Sequence, residues 1–157
     1  WTCFFADIEA LKRIDIAAEK WLDLNGYSAL DDQTMFYKGY LMGYKTLVVS
    51  NALYDHLDGR TSVRNNKPAT IYASIFNRYV FWHRFIYSQE SNVFMKIWAR
   101  VCINYRVFWC RVFDLIDYLR GRNSKSDLKI IKRAYKDVKK YIKSDDYLNL
   151  PAINLQK

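Results

Sequence analysis

Apolar positions recur at helical spacing along most of this chain. Asp7 precedes Ile8–Ile14, where Leu11 and Ile14 share a face, which predicts a short helix capped by the Asp7 side chain. A second short helix is expected around Ile16–Leu24, with Gly26 at a C′ position. Phe36, Tyr40 and Leu41 form a stripe that makes Thr34–Met42 helical, and Gly43 ends it. Trp1–Ala6, Thr46–Val49 and Ala52–Asp55 are short apolar or β-branched runs and read as strands. His56–Ser62 is polar, contains Gly59 and reads as a loop. Beyond it the pattern is helical throughout. Pro68 suits the first turn of a helix running to about Tyr87, Asn92–Arg122 forms a longer one, and Ser126 is expected to cap the last. Pro151 marks an irregular tail. The expected fold class is α/β but mostly helical, with few strands.

The two C-terminal helices are strongly two-faced. Projected at about 100° per residue, Phe94, Ile97, Trp98, Val101, Tyr105, Phe108, Trp109, Val112, Leu115, Ile116 and Leu119 share one broad face. Lys96, Arg100, Asn104, Arg111 and Asp114 share the narrow opposite face. On the last helix Leu128, Ile131, Tyr135, Val138 and Ile142 form a stripe, and Lys129, Lys132, Arg133, Lys136, Lys139, Lys140 and Lys143 lie across from it.

Charge divides the chain. The formal net charge is +9. Residues 1–62 hold six basic and nine acidic side chains, a net of −3, and residues 63–157 hold nineteen and seven, a net of +12. The basic part therefore has three readings: attachment to an anionic membrane surface, a packed extension with a solvated lysine face, or contact with nucleic acid. Nucleic acid is the least favoured, because no recognised module is present. His83, in the Phe81–Phe85 run FWHRF, reads as a core or helix-surface histidine rather than a ligand.

Composition narrows the classes further. The chain is 51% hydrophobic and 17% aromatic, which excludes disorder and low complexity. The longest stretch without a charge is Pro68–Asn77, ten residues, against the roughly 20 of a bilayer span. Cys102 and Cys110 are eight positions apart on one predicted helix, about 12 Å of rise, too far for a disulfide. With Cys3 they read as reduced thiols, which implies a cytoplasmic setting. No Cys/His spacing suggests zinc.

Candidate chemistry gathers in residues 1–62. Asp31 and Asp32 open a helix, where carboxylates cap it and complement its dipole. Two adjacent carboxylates also repel, which suits one of them to take up a proton as a general base. His56 follows a predicted strand and could serve as a metal ligand or phosphate partner, with Gly59, Arg60, Thr61 and Ser62 as donors to a diphosphate. Trp21, Tyr27, Phe36 and Tyr37 are either core or a platform for sugar rings.

Their order carries a resemblance. Glu19–Asp23 (EKWLD), Gly26-Tyr27, Asp31–Gln33 (DDQ), Met35–Lys38 (MFYK), Gly43–Lys45 (GYK), His56–Asp58 (HLD) and Thr61-Ser62 follow one another. Over about Trp1–Ile86 this resembles the acceptor-side half of bacterial family 2 glycosyltransferases of the GT-A fold. The resemblance implies a partial GT-A fold over 1–62, followed by a basic helical extension over 63–157. It implies transfer of a sugar, with inversion, from a nucleotide-sugar to a glycan or lipid-linked acceptor in cell-envelope polysaccharide synthesis. Asp32 would be the base and Asp31 its acidic neighbour. Trp21, Asp23 and Tyr27 would border the acceptor. His56, with Arg60 and Ser62, would lie beside the diphosphate and a divalent Mg2+ or Mn2+ ion. The family's nucleotide-binding half and its D-x-D motif are absent from these residues, so the chain is expected to be inactive alone and to be the C-terminal part of a longer enzyme. The implied location is the inner face of the cell membrane, peripherally bound. The rival expectation is a non-enzymatic basic module that binds a membrane surface or a protein partner.

Overall fold

The structure, a computed structural model, describes residues 6–26, 29–47 and 67–153. Among the described residues every regular element is a helix. The first is α1, Ile8–Ile14, where the Asp7 carboxylate accepts from the Ala10 amide at 3.0 Å, as the sequence predicts. The helix expected over Ile16–Leu24 is instead two 3-10 turns, Ile16–Ala18 and Lys20–Leu22. The break falls at Glu19, whose backbone (φ −83°, ψ 61°) leaves the helical region.

Helix α2 spans Asp31–Leu41 and so starts earlier than the stripe alone suggests. Its cap position is Leu30 in a left-handed conformation (φ 74°) with no capping side chain, so Asp31 does not cap the helix. Asp31 and Asp32 both lie inside the first turn, where their charge still complements the helix dipole. Gly39 faces α1: a Cβ there would meet the Ile14 Cδ1 at 3.0 Å, so the absent side chain permits the close approach. Gly43 follows with φ 85°, in its expected terminating role.

Helix α3, Lys67–Trp82, runs into a π-helical turn, His83–Tyr87, closed by the Ser88 amide on the His83 carbonyl at 2.8 Å. Helix α4 spans Val93–Leu119, and Asn92 accepts from the Phe94 and Met95 amides. Helix α5 spans Lys125–Tyr141. Its cap is Ser124, not Ser126: the Ser124 hydroxyl accepts from the Asp127 amide while the Asp127 carboxylate accepts from the Ser124 amide at 2.8 Å. The reciprocal pairing needs an acid three residues after the cap, and Asp127 stands in that register to Ser124. A short helix α6, Asp145–Leu148, which the sequence pattern does not predict, precedes Pro151 and buries Tyr147.

Helices α3 and α5 form the principal pair. Trp21, Leu22, Phe76, Val80, Phe85, Val138 and Tyr147 make one core, to which residues on both sides of the 62/63 boundary contribute. On α5 the predicted stripe is inside, with Ile131, Tyr135 and Val138 buried and the lysine face exposed. Of the predicted strand Trp1–Ala6 only Ala6 is described, and it is irregular; the rest of it, the predicted strand Ala52–Asp55, Val48, Val49 and the His56–Ser62 loop lie outside the described residues. Thr46 and Leu47 are described and are irregular.

Candidate functional site

A charged cluster lies at the centre of the core. Glu19 is fully buried, and its carboxylate meets Arg84 at 2.5 Å through Nε and 2.9 Å through a second guanidinium nitrogen. It also accepts from the Trp21 indole at 2.8 Å and faces the Lys38 ammonium at 3.0 Å. Lys38 and Arg84 each reach a backbone carbonyl too, at Asp15 and Pro151. Burial alone would push the Glu19 carboxyl up. The hydrogen bond and charge of Arg84, with Trp21 and Lys38, outweigh it and hold the group below its ordinary value. The π turn positions Arg84 and, one residue earlier, His83, whose Nδ1 pairs with the Tyr147 hydroxyl at 2.6 Å. Burial and then the charge of Arg100 hold His83 below its ordinary value.

Sequence reasoning assigned a role to neither Glu19, quoted only within EKWLD, nor Arg84, although a signal was present. Glu19 interrupts the apolar run from Ile16 to Leu22, and Arg84 interrupts FWHRF. A charge inside an apolar run that folds into the core needs a buried partner.

The residues that were singled out are placed as follows. Trp21 is fully buried in the core, so of its two readings the structure places it as core. Asp23 ends the second 3-10 turn and is exposed. Asp31 accepts from the Asp32 amide at 2.9 Å. One Asp32 carboxylate oxygen is buried and has no hydrogen-bond partner. Asn77 ties the two regions together, donating to the Leu22 and Ala29 carbonyls at 3.0 Å each. Tyr27, His56, Arg60 and Ser62 lie outside the described residues. Among the described residues no group of three or more His, Cys, Asp or Glu side chains could hold a metal ion.

Among the described residues most of the exposed large apolar side chains lie on α4. Of its 27 residues only Ile103 is buried. Ala99, Ile103, Val107, Cys110 and Asp114 make the seam that is least exposed. Phe94, Trp98, Tyr105, Phe108, Phe113 and Leu119 face solvent, from 59% exposed at Phe108 to 82% at Phe94. The broad apolar face read from the sequence thus points away from the body. The guanidinium and ammonium groups of the narrow face turn inward onto aromatic rings: Lys96 and Arg100 lie 5.8 and 5.2 Å from the Tyr87 ring centre, and Arg111 lies 5.0 Å from that of Tyr135. Among the described residues no helix is long and apolar enough to cross a membrane.

Compared with protein-family models, curated proteins and solved structures, the chain matches none.

Proposed function

We propose that this chain is a peripheral module for an anionic membrane surface, with α4 lying in the headgroup region and its aromatic face in the acyl boundary. The observation that carries this reading is the orientation of α4: about 40 Å of helix presents its rings outward. Interfacial helices combine such an apolar face with bordering cations. Arg106 borders the apolar arc, within a segment of net charge +12. A nucleic-acid ligand fits less well, because the most exposed long helix offers rings and aliphatics where phosphates would need cations.

The test is co-sedimentation with phosphatidylcholine vesicles, with and without phosphatidylglycerol, across a salt series. Binding should require the anionic lipid and weaken with salt. Trp98→Asp with Phe108→Asp should lower it by more than about tenfold, since each ring gains on the order of 1.5–3 kcal/mol when fully removed from water. Binding indifferent to lipid charge and to both substitutions would refute the reading. A concentration-dependent dimer in solution, abolished by the same substitutions, would assign the face to a second copy instead.

A second reading is catalytic, and the unpartnered Asp32 oxygen favours it. In it the chain is the C-terminal part of an inverting glycosyltransferase, acting from a nucleotide-sugar on a glycan or lipid-linked acceptor, with Asp32 as base at the start of α2. The two readings are compatible, because a lipid-linked acceptor is met at the membrane surface. In the full-length protein Asp32→Asn should abolish sugar transfer and leave nucleotide binding nearly intact; undiminished transfer would remove Asp32 from that role.

A further inference from the structure

Two clefts flank α4 on its inner side. The smaller, about 150 Å³, lies between α3, α4 and α5. The larger, about 350 Å³, runs from α3 and α4 to the start of α2. Arg78, Ile103 and Arg106 line both. Among the described residues neither Arg78 nor Arg106 takes part in an ion pair or a hydrogen bond. Asp114 lines only the smaller cleft, so among the described residues the larger one has two arginines, the Gln33 amide and no carboxylate in its wall. The remainder of that wall is apolar, with Trp82, Ile86 and Ile103 among it.

We propose that the larger cleft binds the phosphate head of an anionic lipid, between the guanidinium groups of Arg78 and Arg106. This rests on the surface reading of α4. Guanidinium forks pair with phosphate oxygens in planar, charge-assisted hydrogen bonds, and Gln33 adds two neutral donors. A free phosphate would use those donors alone. The apolar wall needs an apolar ligand portion, and the place of the cleft supplies its route. Cys102 lines the cleft and is exposed, and on the helical projection it falls at the border of the outward apolar face. A lipid whose head sits at Arg106 can therefore pass its chain past Cys102 into the layer that α4 occupies. The site makes the module selective for phosphate-bearing lipid, beyond a general attraction to negative charge.

The test uses the 157-residue chain with three probes: monomeric dihexanoyl phosphatidate below its aggregation concentration, inorganic phosphate, and mixed phosphatidylcholine–phosphatidylglycerol vesicles. Calorimetry with the short-chain lipid should show binding that Arg78→Gln with Arg106→Gln weakens by about tenfold or more. Both arginines are exposed, so the fold should persist, and an unchanged unfolding midpoint checks this. A charge-matched control, Lys139→Gln with Lys140→Gln on the solvent face of α5, should leave short-chain binding unchanged. Equal affinity for inorganic phosphate and the short-chain lipid would overturn the proposal, as would full binding by the double arginine variant. The vesicle arm separates the two claims. Vesicle binding with no arginine-dependent short-chain binding refutes the cleft alone. Arginine-dependent short-chain binding without vesicle binding upholds the cleft and refutes the surface reading.

Discussion

Replacing Glu19 with Gln removes the charge that faces both Arg84 and Lys38. The three side chains are 0%, 8% and 7% exposed, so water cannot take over the solvation of either cation. Breaking a buried pair from one side costs about 3–5 kcal/mol, because the surviving charge stays buried without compensation. Gln keeps an acceptor for the Trp21 indole and for Arg84, which places it at the low end; Ala keeps none and belongs at the high end. For a chain of this size roughly 2–4 °C follows each kcal/mol, so at about 3 kcal/mol the unfolding midpoint of Glu19→Gln should fall by about 6–12 °C. Urea unfolding at neutral pH, with an unchanged m-value, gives the free energy directly. The sign with pH follows from the depressed carboxyl. The folded state holds Glu19 ionised below the pH at which the unfolded chain, at 4.5, takes up its proton. Its stabilisation is therefore complete above about 4.5 and is lost as pH falls through the lower folded value. Glu19→Gln should flatten that acid limb. A loss under about 1 kcal/mol, or an unaltered acid limb, would refute the assignment of Glu19 as the charge that holds Arg84 and Lys38 in place. The triple change Glu19→Leu, Lys38→Met, Arg84→Met separates charge from packing: it should recover most of the loss, since an apolar core of similar volume needs no compensating charge.

Other outcomes follow from particular contacts. Ser124→Ala should destabilise by about 1 kcal/mol in urea titration, whereas Ser126→Ala should stay within about 0.5 kcal/mol; the reverse order would return the cap to Ser126. His83 is held below 6.5 by burial and by Arg100, so its neutral form favours the fold: stability should be complete above about 6.5 and fall as pH drops toward the folded value. Paired pH titrations of wild type and His83→Phe should show that component only in the wild type; identical slopes would refute it. Trp98→Asp with Phe108→Asp should leave the free energy of unfolding within about 1 kcal/mol, because both rings already face solvent. A larger loss would mean that α4 packs inward through those rings.

The helices were legible because their signals are local. Asp7 and Gly43 are terminal signals that act within a turn, and each lies at or next to a helix end in the structure. Asp31 misled for the same reason: an acid before an apolar stripe suits the cap position and the first turn equally, and only the left-handed Leu30 decides between them. The π turn has no local signature in FWHRF; it follows from Arg84 and His83 reaching partners 65 and 64 residues away, at Glu19 and Tyr147. The candidate carboxylates could be placed on α2, but the buried oxygen of Asp32 could not be foreseen, since it depends on what the fold lays over that turn. Trp21 was open to two readings because an aromatic residue at helical spacing fits a core and a platform alike, and its indole contact with Glu19 settles which it is.

The orientation of α4 runs against the usual rule, and the reason lies in what the rest of the fold has already filled. A surface helix normally turns its apolar arc to the core. Here α3 and α5 close the core between themselves, with Phe76, Val80 and Val138 buried and Ala73 and Ala134 offering no room for a further large ring. What α3, α5 and the π turn present to α4 is a shallow surface bearing Tyr87 and Tyr135. A seam of Ala99, Ile103, Val107 and Cys110 fits such a surface, and the stems of Lys96, Arg100 and Arg111 cover its rings at little cost in desolvation. Turning α4 by half a revolution would forfeit those contacts. Among the described residues the apolar arc is therefore left uncovered, which is the ground of the membrane-surface proposal. Amide exchange along Val93–Leu119 should accordingly be fast in buffer and slow on anionic vesicles, while that of α3 and α5 stays unchanged. Slow exchange of α4 in buffer alone would show that its stability comes from the body after all.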